Sequence, residues 1–185
     1  MKPENVTGWF VSPVRGALLR LRPWLLVMAF LAWLPGAFAQ ARVLDPEFDR
    51  LLDGLLSHRV PERGVGEIRD TKGLLFLDAR EAREYEVSHI PEALWVGYDR
   101  FDLGRLQGVD KDQPIVVYCS VGYRSERVAE KLISAGFTQV SNLYGGIFEW
   151  ANQGCALNNE EGPTRAVHTY NRSWSKWLKK GVKVY

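Results

Sequence analysis

A run of apolar residues near the middle of the chain leads directly into a polar, glycine-containing loop. Residues 115–118 read Ile-Val-Val-Tyr, and such a continuous β-branched run is typical of a strand that is covered on both faces. Cys119 follows this strand, Ser125 is predicted to cap the next helix, and Gly136 to close it. Strands covered on both faces lie in parallel sheets between helices, so this feature predicts an α/β fold.

Short strands and helices alternate around this central feature. The apolar runs 74–77, 93–96 and 140–143 predict further strands, separated by helical patterns. The sequence therefore predicts a mainly parallel central sheet that is flanked by helices on both faces. Sites in such sheets lie at the carboxyl ends of the strands, where Cys119 is placed. Asp78 and Arg80 also follow a strand, so they could border the site; an ion pair within the domain is the alternative.

The first 39 residues have the layout of a secretory signal peptide. Three arginines precede an apolar run of eleven residues over 24–34, and the small residues Ala37 and Ala39 follow it. A membrane-spanning helix needs about 20 apolar residues, so this run is about half the required length. We therefore expect cleavage after Ala39, an exported protein that is periplasmic or secreted, and no stable membrane span after cleavage. The alternative is a protein that an uncleaved N-terminal segment tethers to the membrane.

Removal of the signal peptide changes the charge balance of the chain. The whole sequence carries a formal charge of +2, whereas residues 40–185 contain 20 basic and 21 acidic residues. This balance gives no reason to expect a nucleic acid as a partner. Export would also bring Cys119 and Cys155 into an oxidising compartment, where a disulfide between them is the alternative to a reactive thiol.

Two further segments flank the predicted domain. Residues 40–59 contain Asp45-Pro46 ahead of an apolar face at helical spacing, which predicts an amphipathic helix packed on the domain. Residues 158–185 form a basic extension, with six lysines and arginines and no acidic residue after Gly162. The spacing of Trp174, Trp177 and Leu178 predicts a docked helix there; a membrane-surface or anionic partner is the alternative.

The loop after the strand contains the residue types that activate a thiol. Backbone N–H groups in a tight loop, together with the positive end of the next helix, stabilise a thiolate. Gly122 allows the sharp turn that such a loop needs, and Arg124 could offer a planar donor fork to an oxyanion substrate. The predicted substrate-binding loop comprises Ser120, Val121, Gly122, Tyr123, Arg124 and Ser125. No metal or other cofactor is expected, because the two cysteines and three histidines fit no ligand spacing.

Three segments together resemble the rhodanese domain family. Residues 74–93 resemble its first half, residues 115–125 its active loop, and residues 143–154 its closing segment. The resemblance covers residues 60–157 and implies a rhodanese-like fold. Ser88 and Glu92 depart from the pattern, since the family often has glycine at both positions.

The resemblance also implies sulfurtransferase chemistry without a cofactor. Cys119 would take the outer sulfur of a donor such as thiosulfate, become a persulfide, and pass the sulfur to cyanide or a thiol. The acceptor could also be an unidentified protein. Within the loop, the resemblance makes Arg124 the expected anion contact.

Two other functions stay open. The first is a non-catalytic or relay-type sulfur carrier, because the sequence does not reveal the acceptor. The second is a thiol phosphatase or arsenate reductase on the same fold. Phosphatase loops of this fold have five residues between cysteine and arginine, whereas four separate Cys119 from Arg124, so loop length favours sulfur over phosphate. Cys155 is expected to be an unreactive thiol, with a resolving role as the alternative.

Overall fold

The protein was analysed as a computed structural model in which residues 43–185 are described. The predicted signal peptide lies outside the described residues. The described part begins with helix α1 and continues as an alternation of strands and helices. The helices are α1 Pro46–Leu55, α2 Val65–Ile68, α3 Ala82–Val87, α4 Tyr123–Ser134 and α5 Gly146–Asn152, with 3-10 turns at Leu103–Leu106 and Ser175–Trp177. The strands are β1 Glu62–Arg63, β2 Leu75–Asp78, β3 Leu94–Trp95, β4 Ile115–Tyr118, β5 Val140–Leu143, β6 Leu157–Asn159, β7 Gly162–Thr164, β8 Ala166–His168 and β9 Val182–Val184.

The first five strands form one sheet, and every pair in it is parallel. The order is β1-β5-β4-β2-β3, so the strand that precedes Cys119 is at the centre. Side chains of successive residues of a strand point to opposite faces. Val116 and Tyr118 accordingly pack with α1, α2 and α5, whereas Ile115 and Val117 pack with α4. The predicted parallel sheet with helices on both faces is confirmed.

Helix α1 occupies the segment in which the amphipathic helix was expected. The Oδ1 atom of Asp45 accepts hydrogen bonds from the backbone N–H groups of Glu47 at 2.9 Å and Phe48 at 3.3 Å. These bonds satisfy N–H groups that the first turn of a helix leaves without partners. Phe48 and Leu52 are fully buried in the core on the α1 side of the sheet.

The C-terminal extension differs from the predicted docked helix. Residues Ser175–Trp177 form only a 3-10 turn, and β8 pairs in parallel with β9. The side chain of Asn171 accepts a hydrogen bond from Trp174 N at 3.1 Å, and the hydroxyl of Ser175 donates to Arg172 O at 2.8 Å. Such side-chain bonds to nearby backbone groups compete with helix formation, which accounts for the short turn.

The extension is nevertheless docked firmly on the domain. The ring of Trp177 stacks on that of Phe48 in α1, with centroids 5.1 Å apart. The side chain of Asn152 donates to Trp177 O at 2.9 Å and accepts from Lys179 N at 2.7 Å. Lys179 also pairs with Asp45 at 3.1 Å. No helix within residues 43–185 is both long and apolar enough to cross a membrane.

Candidate active site around Cys119

Cys119 lies between the carboxyl end of β4 and the first turn of α4. Its side chain is buried, and its Sγ atom accepts a hydrogen bond from the backbone N–H of Gly122 at 3.2 Å. Gly122 is the residue that precedes α4 and has a φ of 119°, a conformation that side chains rarely adopt. Ser125, predicted to cap α4, instead lies inside its first turn. That prediction was wrong, because the glycine turn starts the helix three residues earlier and aims its N–H groups at the sulfur.

The loop is also fixed from the side of β5 and α5. The hydroxyl of Ser125 lies 2.7 Å from Asn142 Oδ1, and Asn142 Nδ2 donates to Gly122 O at 3.1 Å. The N–H of Ile147 in α5 donates to Cys119 O at 2.9 Å. Asn142 is a site residue that sequence reasoning missed, since it lies on a different strand and belongs to no local motif.

Arg124 forms an ion pair rather than presenting an open donor fork. Its Nη1 and Nη2 atoms contact the two carboxylate oxygens of Glu84 at 2.7 and 2.8 Å. Its Nη2 also donates to Ser120 Oγ at 3.0 Å. Glu84 is fully buried in α3, and Arg124 holds the pKa of its carboxyl down at about 2, although burial alone would raise that pKa. The expected anion contact is therefore largely occupied by a side chain of the protein itself.

The electrostatic surroundings of Cys119 favour the thiolate. Burial by itself raises the pKa of the thiol. The positive charge of Arg124 and hydrogen bonding from Ser125 and Val121 outweigh it, so this pKa lies below the ordinary value of 9.0. The pKa of the Cys155 thiol is instead raised, mainly by burial. The two cysteines should consequently differ in reactivity at neutral pH.

This difference predicts the pH dependence of alkylation. The iodoacetamide rate at Cys119 should rise with an inflection below pH 9, and that at Cys155 with an inflection above it, because the thiolate is the reacting form. Arg124→Met should move the Cys119 inflection upward, since the positive charge that favours the thiolate is lost. Arg127→Met, at an exposed position on the same helix, is the control and should leave it in place. Equal inflections in both variants would contradict this account of the thiol. Site-resolved mass spectrometry gives both rates.

Asp78 and Arg80 form a buried ion pair and do not line the opening above Cys119. Arg80 Nη2 lies 2.6 Å from Asp78 Oδ2 and also donates to Ser88 O at 2.6 Å. Both side chains are fully buried. Asp78 ends the strand next to β4, and this ion pair is the alternative that the sequence left open. Its place in the fold is to tie the end of β2 to the residue that follows α3.

A pocket of about 450 Å³ opens above the cysteine. Most of the predicted loop lines it, and three residues from outside the predicted domain contribute as well. Those three are Leu55 from α1 and Tyr170 and Trp174 from the C-terminal extension. The full lining is Leu55, Glu81, Arg83, Tyr98, Asp99, Cys119, Ser120, Val121, Tyr123, Arg124, Tyr170 and Trp174. Gly122 and Ser125 shape the loop from behind.

Cys155, the other cysteine, lies outside the pocket lining. Cys119 and Cys155 are both unbridged thiols. His89 also lies outside the pocket lining, and its Nδ1 atom is 3.1 Å from Tyr85 O. Within residues 43–185, no three His, Cys, Asp or Glu side chains are grouped as metal ligands would be.

The two departures from the family pattern have different structural consequences. Glu92 has a φ of 63°, in the left-handed region where glycine is favoured. Ser88 has a φ of −172°, which is extended backbone that any residue adopts. Only the position of Glu92 therefore has a conformation that explains a preference for glycine.

Comparison with known proteins agrees with this architecture. A model of the rhodanese-like domain matches residues 65–153. A sulfurtransferase from Allochromatium vinosum is 34% identical over 95 residues, which cover 51% of this chain and 88% of that protein. A tRNA uridine(34) hydroxylase from Sodalis glossinidius is 32% identical over 114 residues, covering 59% of this chain. The match spans only 32% of the length of that hydroxylase.

Solved structures show the same fold. The rhodanese-like domain of an Anabaena protein superimposes with a TM-score of 0.50 at 23% identity, covering 54% of this chain and 79% of that one. A Bacillus halodurans protein also gives a TM-score of 0.50, at 21% identity, covering 63% and 86% of the two chains. Together with the sequence match to a sulfurtransferase along most of its length, these findings place the chain in the rhodanese-like family.

Proposed function

We propose that the protein is a sulfurtransferase that carries sulfane sulfur as a persulfide on Cys119. The observation that carries the proposal is the position of a buried thiol of lowered pKa at the start of α4, on the floor of an open pocket. A thiolate in such a position is an activated nucleophile. The related sulfurtransferase supports the same type of chemistry.

The proposed reaction has two displacements at sulfur. The Cys119 thiolate attacks the outer sulfur of thiosulfate, a Cys119 S–S bond forms, and sulfite leaves with the electron pair of the broken S–S bond. A nucleophile such as cyanide or a thiolate then attacks the outer sulfur of the persulfide. The product departs as thiocyanate or as a new persulfide, and the Cys119 thiolate is regenerated. No external oxidant or reductant is required. In each displacement one bond to the transferred sulfur forms while another breaks, and the departing group keeps the electron pair of the broken bond.

The loop provides two means of stabilising the persulfide. The terminal sulfur carries negative charge, which the N–H groups at the start of α4 would stabilise, as the Gly122 N–H already does for Cys119 Sγ at 3.2 Å. The charge of Arg124 acts from the side, held in place by Glu84. Because Glu84 and Ser120 engage most of the Arg124 donors, the backbone N–H groups of the loop would make the main contacts with a bound anion.

Intact-mass analysis of the protein tests the proposal directly. Residues 40–185 treated with thiosulfate should gain the mass of one sulfur atom, and peptide mapping should locate it at Cys119. Addition of cyanide should release thiocyanate and restore the original mass. Cys155→Ser is the control and should behave in the same way, since its thiol is outside the pocket.

The other outcomes select other functions. Persulfide formation in a single turnover, without continued thiocyanate production, would favour a relay-type carrier whose acceptor is a protein. Hydrolysis of an aryl phosphate without persulfide formation would favour the phosphatase alternative. Hydroxylation is not part of the proposed function, because the match covers only 32% of the hydroxylase relative.

A further inference from the structure

The outer wall of the Cys119 pocket is apolar and largely aromatic. Leu55 comes from α1, and Tyr170 and Trp174 come from the C-terminal extension. Tyr98 and Tyr123 complete the wall on the domain side. Inorganic anions such as thiosulfate have no apolar surface to place against these groups. A wall of this kind is typical of sites that bind organic molecules.

The two aromatic residues of the extension are held in place over the pocket. The backbone N–H of Tyr170 donates to His168 Nδ1 at 3.1 Å, and the Tyr170 ring lies 5.2 Å from the guanidinium of Arg124. Trp174 N donates to Asn171 Oδ1 at 3.1 Å. Tyr170 has a φ of 63°, a costly conformation for a residue with a side chain. Anchored in this way, the two rings form a preorganised wall.

The charges around the pocket do not favour a dianion. Arg124 keeps its positive charge, but the carboxylate of the buried Glu84 in the same ion pair offsets the net charge that a ligand meets there. Arg83 is the other positive side chain in the described lining, and the carboxylates of Glu81 and Asp99 line the same opening. The described lining consequently has no surplus of positive charge. A ligand with one negative charge is accommodated more easily than one with two.

The size of the pocket also exceeds what a small inorganic anion requires. A cavity of about 150 Å³ is sufficient to bind benzene. The pocket above Cys119 measures about 450 Å³, so an aromatic ring and a reactive sulfur group fit together. We propose that this site, acting in the sulfur transfer proposed above, prefers organic sulfane-sulfur compounds with a ring-sized apolar group and at most one negative charge over inorganic thiosulfate.

The reaction with such a donor follows the same electron balance as before. For an aryl thiosulfonate, the Cys119 thiolate attacks the terminal sulfur and forms the persulfide. The bond between the two donor sulfurs breaks, and the aryl sulfinate leaves with its electron pair. The aryl group would rest against Tyr170 and Trp174 while the terminal sulfur reaches the thiolate.

Two donors of equal charge provide the test. Benzenethiosulfonate and methanethiosulfonate differ in the apolar group alone. Their kcat/KM values for persulfide formation should be divided by their rates with a small free thiol, which removes intrinsic reactivity. The corrected preference for the aryl donor should be at least about tenfold, the discrimination that one extra apolar group gives in a fitted pocket. A corrected ratio near one would overturn the proposal without affecting the proposed sulfur transfer.

Variants of the extension locate the preference. The double variant Tyr170→Ala with Trp174→Ala should reduce the corrected ratio to within about threefold of one, because two rings of the wall are lost. Tyr185→Ala is the matched control, since Tyr185 is an exposed tyrosine of the same extension that does not line the pocket. An unchanged ratio in the double variant, or an equal reduction in the control, would overturn the role of the extension. The wild-type measurement needs no variant and stands even if the double variant does not fold.

A binding measurement separates this inference from the proposed function. Benzenesulfonate and methanesulfonate are unreactive, and either can be tested for protection of Cys119 from iodoacetamide. Stronger protection by benzenesulfonate, lost in the double variant, supports the aromatic wall even if no donor yields a persulfide. That result would contradict the proposed sulfur transfer but would still support the proposed ligand class. Equal protection by the two anions would overturn the ligand class.

Discussion

Glu84→Gln is expected to lower the free energy of unfolding by about 3 kcal/mol at pH 7, the typical cost of removing one partner from a buried ion pair. Glu84 is fully buried, and its two carboxylate oxygens contact Arg124 at 2.7 and 2.8 Å. Its Oε2 also accepts the backbone N–H of Glu81 at 3.0 Å. The variant leaves Arg124 with an uncompensated charge in a half-enclosed position. Urea denaturation of wild type and variant measures the difference.

The same substitution should change the acid sensitivity of the fold. The pKa of Glu84 is about 2 in the folded protein, against an ordinary value of 4.5. A lowered folded pKa means that the ionised group contributes its full stabilisation above pH 4.5 and loses it as the pH falls toward 2. A difference of this size corresponds to about 3 kcal/mol. The stability of Glu84→Gln should therefore fall less steeply than that of wild type in this window.

Two further variants distinguish the ion pair from a general effect of the substitution. Glu86→Gln changes an exposed carboxylate on the same helix and should cost less than about 0.5 kcal/mol. Combining Glu84→Gln with Arg124→Met should cost less than the two single changes added together, because no unpaired charge remains. Additive losses would mean that the contact between Glu84 and Arg124 contributes nothing of its own.

Gly146→Ala is expected to cost about 2–5 kcal/mol and to disrupt the cysteine loop. Gly146 is the first residue of α5 and has a φ of 56°, which costs about 1–2 kcal/mol for a residue with a side chain. A methyl group there would overlap the carbonyl oxygen of Cys119 and lie 2.7 Å from the carbonyl carbon of Ser120. Overpacking of this kind typically costs about 1–3 kcal/mol more. Thermal unfolding and the Cys119 alkylation rate report the two effects.

Gly154→Ala separates the clash from the backbone strain. Gly154 also has a positive φ, of 78°, but an added methyl group would have no atom within 4 Å. This variant should cost about 1–2 kcal/mol, the conformational part alone, and should leave the alkylation rate of Cys119 unchanged. Equal losses of stability and reactivity in both variants would show that α5 does not support the loop through close contact.

The fold and the position of Cys119 at the end of the central strand could be predicted because their signals are local in sequence. The apolar run at 115–118, the cysteine and the glycine turn are adjacent, and the alternating strands and helices fix the rest of the sheet. The partner of Arg124 could not be predicted in this way. Glu84 is 40 residues away on another helix, so no local pattern around Arg124 points to it. Arg80, four residues before Glu84, pairs with Asp78.

The pocket wall was missed for the same physical reason. Leu55, Tyr170 and Trp174 come from segments on both sides of the predicted domain, and only the packed chain brings them to Cys119. The spacing of the tryptophans correctly indicated docking of the extension, but polar side chains replaced the expected helix by a short turn. Export of the protein stays a prediction, since residues 1–39 lie outside the described part.

The parallel pairing of β8 with β9 has a consequence for how substrate preference could diverge within the family. The segment that matches the family model ends at residue 153, while Tyr170 and Trp174 belong to the loop between these two strands. Tyr170 and Trp174 precede the anchor that Trp177 and Lys179 form with Asn152, and neither belongs to the strand that leads into Cys119. Under the proposed function, the reacting thiol and the two aromatic residues of the extension are encoded in separate stretches of the chain, so evolution could replace one and keep the other.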